Sequence, residues 1–221
     1  MEWLEAEAGE TRTLAARVRL TTVVGLLDEE SQRFGTLSYA AADGERPTRF
    51  SVHFERRRLD GFIEPIDQRY VFDGRWLLDL DGQDRVATRR ELVPEGETLE
   101  LGLGGGPFVI PLNLKKDEVL ARFEAELVGA GDDDPAASTD AGSVHLRLTP
   151  RLGVEADAEA FDLWFDRADG LPLRAASREE DGDTNIVDLF RAEANAELKD
   201  AAFDTTLPRD AGWETQVVPL D

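Results

Sequence analysis

Between Gln68 and Leu92 the chain alternates apolar and polar residues with a period of two. Tyr70 and Phe72 fall on one face of a first strand, and Trp76, Leu78 and Leu80 on one face of a second. Val86, Thr88, Arg90 and Leu92 mark a third. Asp73-Gly74 and Asp81-Gly82 separate them, and Asp-Gly supplies the positive φ that short hairpin loops need. A helix cannot carry a two-residue period, so this stretch predicts a three-stranded meander.

The same pattern recurs on both sides. Leu14, Ala16, Val18, Leu20, Thr22, Val24 and Leu26 form one side of a long strand, opposite Arg17, Arg19 and Thr21. Strands are predicted over Gln32 to Ala41 and over Thr48 to Arg58, the latter with Phe50, Val52 and Phe54 in line and a solvated Arg56-Arg57-Arg58 end. Val144-Leu146-Leu148, Phe161-Leu163-Phe165, Leu171 to Arg178 and Thr184 to Phe190 follow at meander spacing, with one or two last strands between Ala201 and Leu220. Trp3 to Gly9 reads as the end of a short acidic helix. Lys115 to Val128 has helical spacing, its stripe being Val119, Leu120, Phe123 and Leu127. Pro107 to Leu112 is an apolar loop after a glycine run without the Gly-Lys-Ser/Thr of a phosphate-binding loop. Residues 129–143 read as a mobile acidic surface loop, and no linker divides the chain, so 1–221 is expected to be one domain.

Composition narrows what such a sheet can serve. The net charge is -22, from 47 acidic and 25 basic residues, which repels nucleic acid and anionic headgroups. Cysteine is absent, which removes disulfides and thiolate chemistry. No run approaches the ~18 apolar residues of a membrane-spanning helix. The start, MEWLEAEAGETRTL, lacks the basic and apolar regions of a signal peptide.

The expected class is α+β, mostly β. Roughly ten to eleven strands in one antiparallel sheet twist and curl strongly. One face alternates to charged residues, while the other collects Leu20, Phe50, Phe54, Tyr70, Trp76, Leu78, Phe161 and Phe165. A single helix and an apolar loop are too little to fill that concavity at native packing density. Either a second sheet covers it or the hollow takes an apolar ligand.

Several fragments, in order, resemble the LolA-like periplasmic lipoprotein carriers over nearly the whole chain. They are Arg46-Pro47-Thr48-Arg49-Phe50, the hairpin Phe72 to Leu77, the loop Pro107 to Leu112, Leu146 to Pro150, Phe161 to Leu173, and Phe203 to Pro208. The resemblance implies an unclosed half β-barrel with a small helical lid over an apolar concave face that carries lipoprotein acyl chains or related lipid. It implies a periplasmic monomer whose signal peptide has been removed, an inner-membrane release complex and an outer-membrane acceptor. Arg46 would then gate the cavity; read as a bare residue, it sits in the turn before a strand, and the sequence leaves both readings open. The wall and lid expected to touch ligand are Arg46, Phe50, Phe54, Tyr70, Trp76, Leu78, Phe108, Ile110, Leu120, Phe123, Phe161 and Phe165.

Enzymatic chemistry finds little to stand on. His53 and His145 fall on predicted solvent-facing strand positions with no committed group beside them in sequence, and no nucleophile elbow, zinc-protease motif or dinucleotide fingerprint occurs. Neither metal nor cofactor is expected. The alternatives to a carrier are a sensor or interaction module of the same fold, and an enzyme acting on a lipid-like substrate in the hollow.

Overall fold

A computed structural model describes residues 2–26, 29–95, 97, 111–112, 114–129, 142–154, 156, 158–179 and 181–220. The alternating runs become β1 (Thr13–Val24), β2 (Glu29–Ala40), β3 (Arg49–Leu59), β4 (Phe62–Phe72), β5 (Trp76–Asp81), β6 (Val86–Glu91), β7 (Phe123–Val128), β8 (Ser143–Pro150), β9 (Ala160–Asp166), β10 (Pro172–Arg178), β11 (Thr184–Ala194) and β12 (Glu214–Val218). Two short helices, α1 (Glu2–Glu10) and α2 (Lys116–Arg122), and a 3-10 turn (Asp200–Phe203) complete the described elements. The structure is mostly β, as expected. Its strands form one unclosed sheet in the order β12-β6-β5-β4-β3-β2-β1-β11-β10-β9-β8-β7. Strands β3 to β6 and β7 to β11 pair antiparallel with their sequence neighbours as expected, whereas β12 pairs parallel with β6.

Backbone contacts divide the chain into two compact units. One comprises Met1–Glu10, Arg19–Gln32 and Leu101–Phe190; the other comprises Thr11–Val18, Arg33–Glu100 and Arg191–Asp221.

In the second unit the meander is present, but its turns differ from the sequence reading. Gly74 has the expected positive φ of 104°, whereas Gly82 does not, and Arg85 (φ 54°) takes the left-handed position of the β5–β6 turn. That turn is closed by the Asp81 carboxylate, whose Oδ1 accepts from the Gln83 and Asp84 amides at 2.9 and 3.0 Å. Gly82 is required for a different reason: a Cβ there would lie 2.5 Å from Asp67 Oδ2. A further hairpin was not anticipated. Asp60 and Gly61, at φ 50° and 82°, join β3 to β4, so β4 begins at Phe62 rather than near Gln68.

Register corrects the expected grouping of apolar residues. Val52 pairs with Tyr70, Phe50 with Phe72, Tyr70 with Asp79 and Val71 with Leu78. Directly paired residues share a face, so Phe50, Phe54 and Tyr70 lie on one side, and Trp76 and Leu78 on the other. On β6 it is Ala87 that is buried, while Val86 is exposed. Val71, Leu78, Leu80 and Ala87 form a small core, covered by Leu207 and Trp213 of the tail. The Asp73–Gly74 turn anchors this tail, since the buried Thr205 donates its hydroxyl to Asp73 Oδ2 at 2.5 Å.

Pro47 packs directly on that turn: a Cβ on Gly74 would meet Pro47 Cγ at 2.0 Å. Gly74→Ala therefore combines a left-handed backbone with a collision. It is expected to cost at least about 1–2 kcal/mol from the backbone alone, read as a lowered urea midpoint with an unchanged slope.

In the first unit the helix expected over Lys115 to Val128 stops at Arg122, and Phe123–Val128 is β7. Phe123 is extended (φ -125°, ψ 151°) and pairs with Pro150, while Leu127 pairs with Leu146. The chain of β8 supplies the stop. Arg151 donates its amide to the Arg122 carbonyl at 2.9 Å and its Nε to the Leu120 carbonyl at 3.0 Å, satisfying acceptors that a helix end leaves open. Leu146, Leu148, Phe161, Leu163, Phe165 and Ala175 present one sheet face, and Leu4 of α1 with Val119 of α2 pack onto it.

Candidate functional site

The packing of α1 and α2 on this sheet leaves a gap near the free edge strand. Trp3 and Leu4 from α1, Lys116 and Leu120 from α2, Ala125 and Leu127 from β7, Val144 and Leu146 from β8, and Arg167 line a groove of about 900 Å³. That volume lies within the range of small-molecule sites, about 300–1,000 Å³. Leu4 and Leu146 are buried beneath it, yet Leu127 is 70% exposed and Trp3 36% exposed, although both are large and apolar. Leu127 shares the face of Leu146 and Leu148, so the groove continues the unit's own core outward to β7, the last strand in the sheet order among the described residues. Apolar surface left wet in this way favours any hydrocarbon that covers it.

The opposite face of the same sheet is polar and continuously linked. Asp188 is buried; its Oδ2 accepts from Arg19 Nη2 at 2.8 Å, and its Oδ1 from Arg174 Nε at 2.7 Å. The Arg174 guanidinium lies 5.7 Å from the centroid of Trp164, whose indole stacks on the His145 ring at 4.1 Å and 18°. Asp162 Oδ1 then meets His145 Nε2 at 2.7 Å and accepts from Arg147 Nε at 2.9 Å. The Asp162 carboxylate raises the pKa of Arg147 further above its ordinary value. His145 therefore has committed neighbours, contrary to the sequence reading. So does His53, whose Nε2 lies 2.9 Å from Asp67 Oδ1 while Arg69 Nε donates to the same oxygen at 2.8 Å. Strand pairing supplies these partners, which sequence proximity does not display.

The residues expected to touch ligand are distributed as follows. Leu120 lines the groove. Phe123, Phe161 and Phe165 lie in the core beneath it, with Phe123 and Phe161 edge-to-face at 5.7 Å. In the other unit, Phe50 stacks near Phe72 at 5.6 Å, and the buried Phe54 meets Tyr70 at 6.5 Å. Burial holds the Tyr70 phenol above its ordinary pKa, and the Asp79 carboxylate adds to the effect. Trp76 lies under Arg89 at 4.5 Å, on the face where Leu78 is buried. Arg46 is half exposed and pairs through Nη1 with Asp200 at 3.0 Å, an oxygen it shares with Arg49 at 3.2 Å; this partner belongs to the 3-10 turn. Phe108, Ile110 and most of the 129–143 loop lie outside the described residues.

Sequence reasoning passed over Trp3, Leu4, Lys116, Ala125, Val144, Leu146 and Arg167 as groove residues. One indication was available: Trp3 and Leu4 are adjacent large apolar residues in an otherwise acidic helix, which implies that they have something to cover. Among the described residues, no group of three or more His, Asp or Glu is placed to hold a metal, and no helix is long and apolar enough to cross a membrane.

No family model and no curated protein matches the chain. Solved structures do resemble it. An uncharacterized conserved protein from Thermus thermophilus is 15% identical, with 99% of this chain and 98% of that one covered at a TM-score of 0.53. The chain is also similar to the MucA/MucB complex structure of Pseudomonas aeruginosa, at 18% identity and TM-score 0.43, covering 91% of this chain and 59% of that one. The LolA superfamily protein NE2245 from Nitrosomonas europaea is likewise among them, at 13% identity and TM-score 0.37, with coverage of 92% and 96%. At these identities the likeness is one of fold.

Proposed function

We propose that this protein binds the acyl chain of a lipid or lipoprotein in the groove beneath α1 and α2 and carries it, without catalysing a reaction, in the periplasm. One observation carries the reading: an apolar groove of about 900 Å³ whose wall includes Leu127 at 70% exposure, on the same face as the core. Burying hydrocarbon there contributes about 0.8 kcal/mol per methylene, so part of one chain gives useful affinity. The helices that roof the groove bury only Leu4 from α1 and Val119 from α2 among their described side chains, so little apolar contact must break for the roof to lift. That suits a carrier, which must release what it binds. Both histidines are tied into Asp–Arg pairs, which supports a structural role for them over a catalytic one.

Leu127→Asp tests the reading. Because Leu127 is mostly exposed, the melting temperature is expected to change little. Binding of a diacylated peptide, followed by native mass spectrometry, is expected to weaken about tenfold or more, since a carboxylate would be desolvated by the chain. Unchanged binding in the variant would refute the groove as the acyl site.

A further inference from the structure

The tip of the β3–β4 hairpin is apolar on both of its faces. Phe62 is 80% exposed, Ile63 62% and Leu59 40%. A single exposed apolar residue, such as Leu152, is ordinary, but three at one turn form a patch. The left-handed Asp60 and Gly61 fix the turn, so Leu59 pairs directly with Phe62 and both leave one face. Ile63 pairs with Arg58 and leaves the other. β4 joins β5 only from Gln68 onward. Among the described residues, the β5–β6 turn bonds to β4 no nearer the tip than Pro65, whose carbonyl accepts from Gln83 Nε2 at 2.6 Å. Phe62, Ile63 and Glu64 thus run about 10 Å farther, at about 3.3 Å per residue.

Charge begins immediately behind this tip. Arg57 Nε donates to Glu64 Oε1 at 2.8 Å, and Arg58 has no carboxylate partner among the described residues. Three side chains fall far short of the roughly 800 Å² per partner that a stable protein interface buries. A protein surface would also cover one face of the hairpin and leave the other wet, whereas lipid surrounds a narrow projection on every side. We propose that this tip docks the protein on a phospholipid bilayer. Leu59, Phe62 and Ile63 enter the interfacial layer, and Arg58 donates to a lipid phosphate. Asp60 at the turn keeps the insertion shallow, because a carboxylate resists leaving water. The net charge of -22 sets the lipid preference: every phospholipid offers phosphate, but an anionic bilayer repels the rest of the molecule. This docking goes beyond the acyl-chain reading and does not depend on the groove.

Vesicle flotation of the full chain with phosphatidylcholine, alone or mixed with phosphatidylglycerol, tests it. The unaltered protein is expected to float with phosphatidylcholine, and more weakly with the anionic mixture at low salt. Phe62→Ser combined with Ile63→Ser is expected to lower the bound fraction at least about fivefold. The melting temperature is expected to hold, since both side chains are exposed. Asp60→Asn is expected to strengthen binding. Because the chain has no cysteine, Ile63→Cys and Leu152→Cys each take one environment-sensitive fluorophore. The probe at position 63 is expected to shift to the blue and to be quenched by lipids spin-labelled near the headgroup; the probe at position 152 is expected to do neither. No flotation, equal flotation of the double variant, or equal response at the two labelled positions would overturn the docking and leave the acyl-chain reading standing. So would a dimer that the double variant abolishes, since the patch would then belong to a second copy. Should the double variant fold poorly, the two labelled positions and Asp60→Asn decide.

Discussion

Replacing Asp188 with alanine is expected to destabilise the protein by about 3–5 kcal/mol. The Asp188 side chain is only 4% exposed, and it is held on both oxygens by arginines from two different strands, Arg19 and Arg174. Removing the carboxylate leaves two partly desolvated guanidinium groups facing each other across β1, β11 and β10, where attraction has become repulsion. The loss extends further. Arg174 also lies over Trp164, and Trp164 is the platform on which His145 stacks, so the polar chain on this face is interrupted at its centre. Urea denaturation measures the loss as a lower midpoint, and a shift of under about 1 kcal/mol would show that the cluster is not a stabilising centre. Replacing Asp188, Arg19 and Arg174 together with apolar residues of similar size is expected to recover much of the stability. The single substitution is costly chiefly because it strands charge, and the triple substitution removes that charge. The comparison separates the two effects.

Phe161→Ala is expected to cost a similar amount, about 3–5 kcal/mol, for a different reason. Phe161 is 1% exposed and lies at the centre of the sheet face that α1 and α2 cover, edge-to-face with Phe123. Neighbours on β8 and β10, Leu148 and Ser177, are held by backbone pairing and cannot collapse into the vacated space. The cavity opens beneath the groove, so a second readout follows: the variant is expected to retain acyl binding at low temperature while losing its folded population on heating. Thermal melts with and without ligand check this, since a ligand that binds only the folded form raises the melting temperature by mass action. A variant with native stability would place Phe161 outside the effective core.

Much of the fold is legible from local rules. Leu14 to Leu20 alternates cleanly, and there and over Phe161 to Phe165 the structure has strands with the predicted side buried, although Trp164 on the other side of β9 is buried as well. Asp169-Gly170 and Asp181-Gly182 turn where expected, with φ of 67° and 89° at the two glycines. The stretch from Val119 to Leu127 is instructive because both periods fit it. Val119, Leu120, Phe123 and Leu127 suit a helix; Phe123, Ala125 and Leu127 suit a strand. Short apolar runs do not arbitrate between the two, and the outcome was decided by β8, which offers β7 a ladder of hydrogen bonds and caps α2 through Arg151. The groove was less legible still. Leu127 and Leu146 lie on separate strands, and Trp3 stands near the far end of the chain from both, so only the packing of α1 and α2 brings them together.

By itself the sequence determined the β class, the strands that alternate, most glycine turns, the acidity and the absence of thiol chemistry, because each depends on properties a residue shares with near neighbours. Only the tertiary structure decided which faces agree. Whether Tyr70 and Leu78 share a side depends on the pairing of β4 with β5, and a shift of one residue would reverse it. Only the tertiary structure, too, paired Asp188 with Arg19, His145 with Asp162, and Trp3 with the edge strand. Those partners meet because separate segments bury one another's apolar surface, and that requirement is written nowhere along the chain in sequence order.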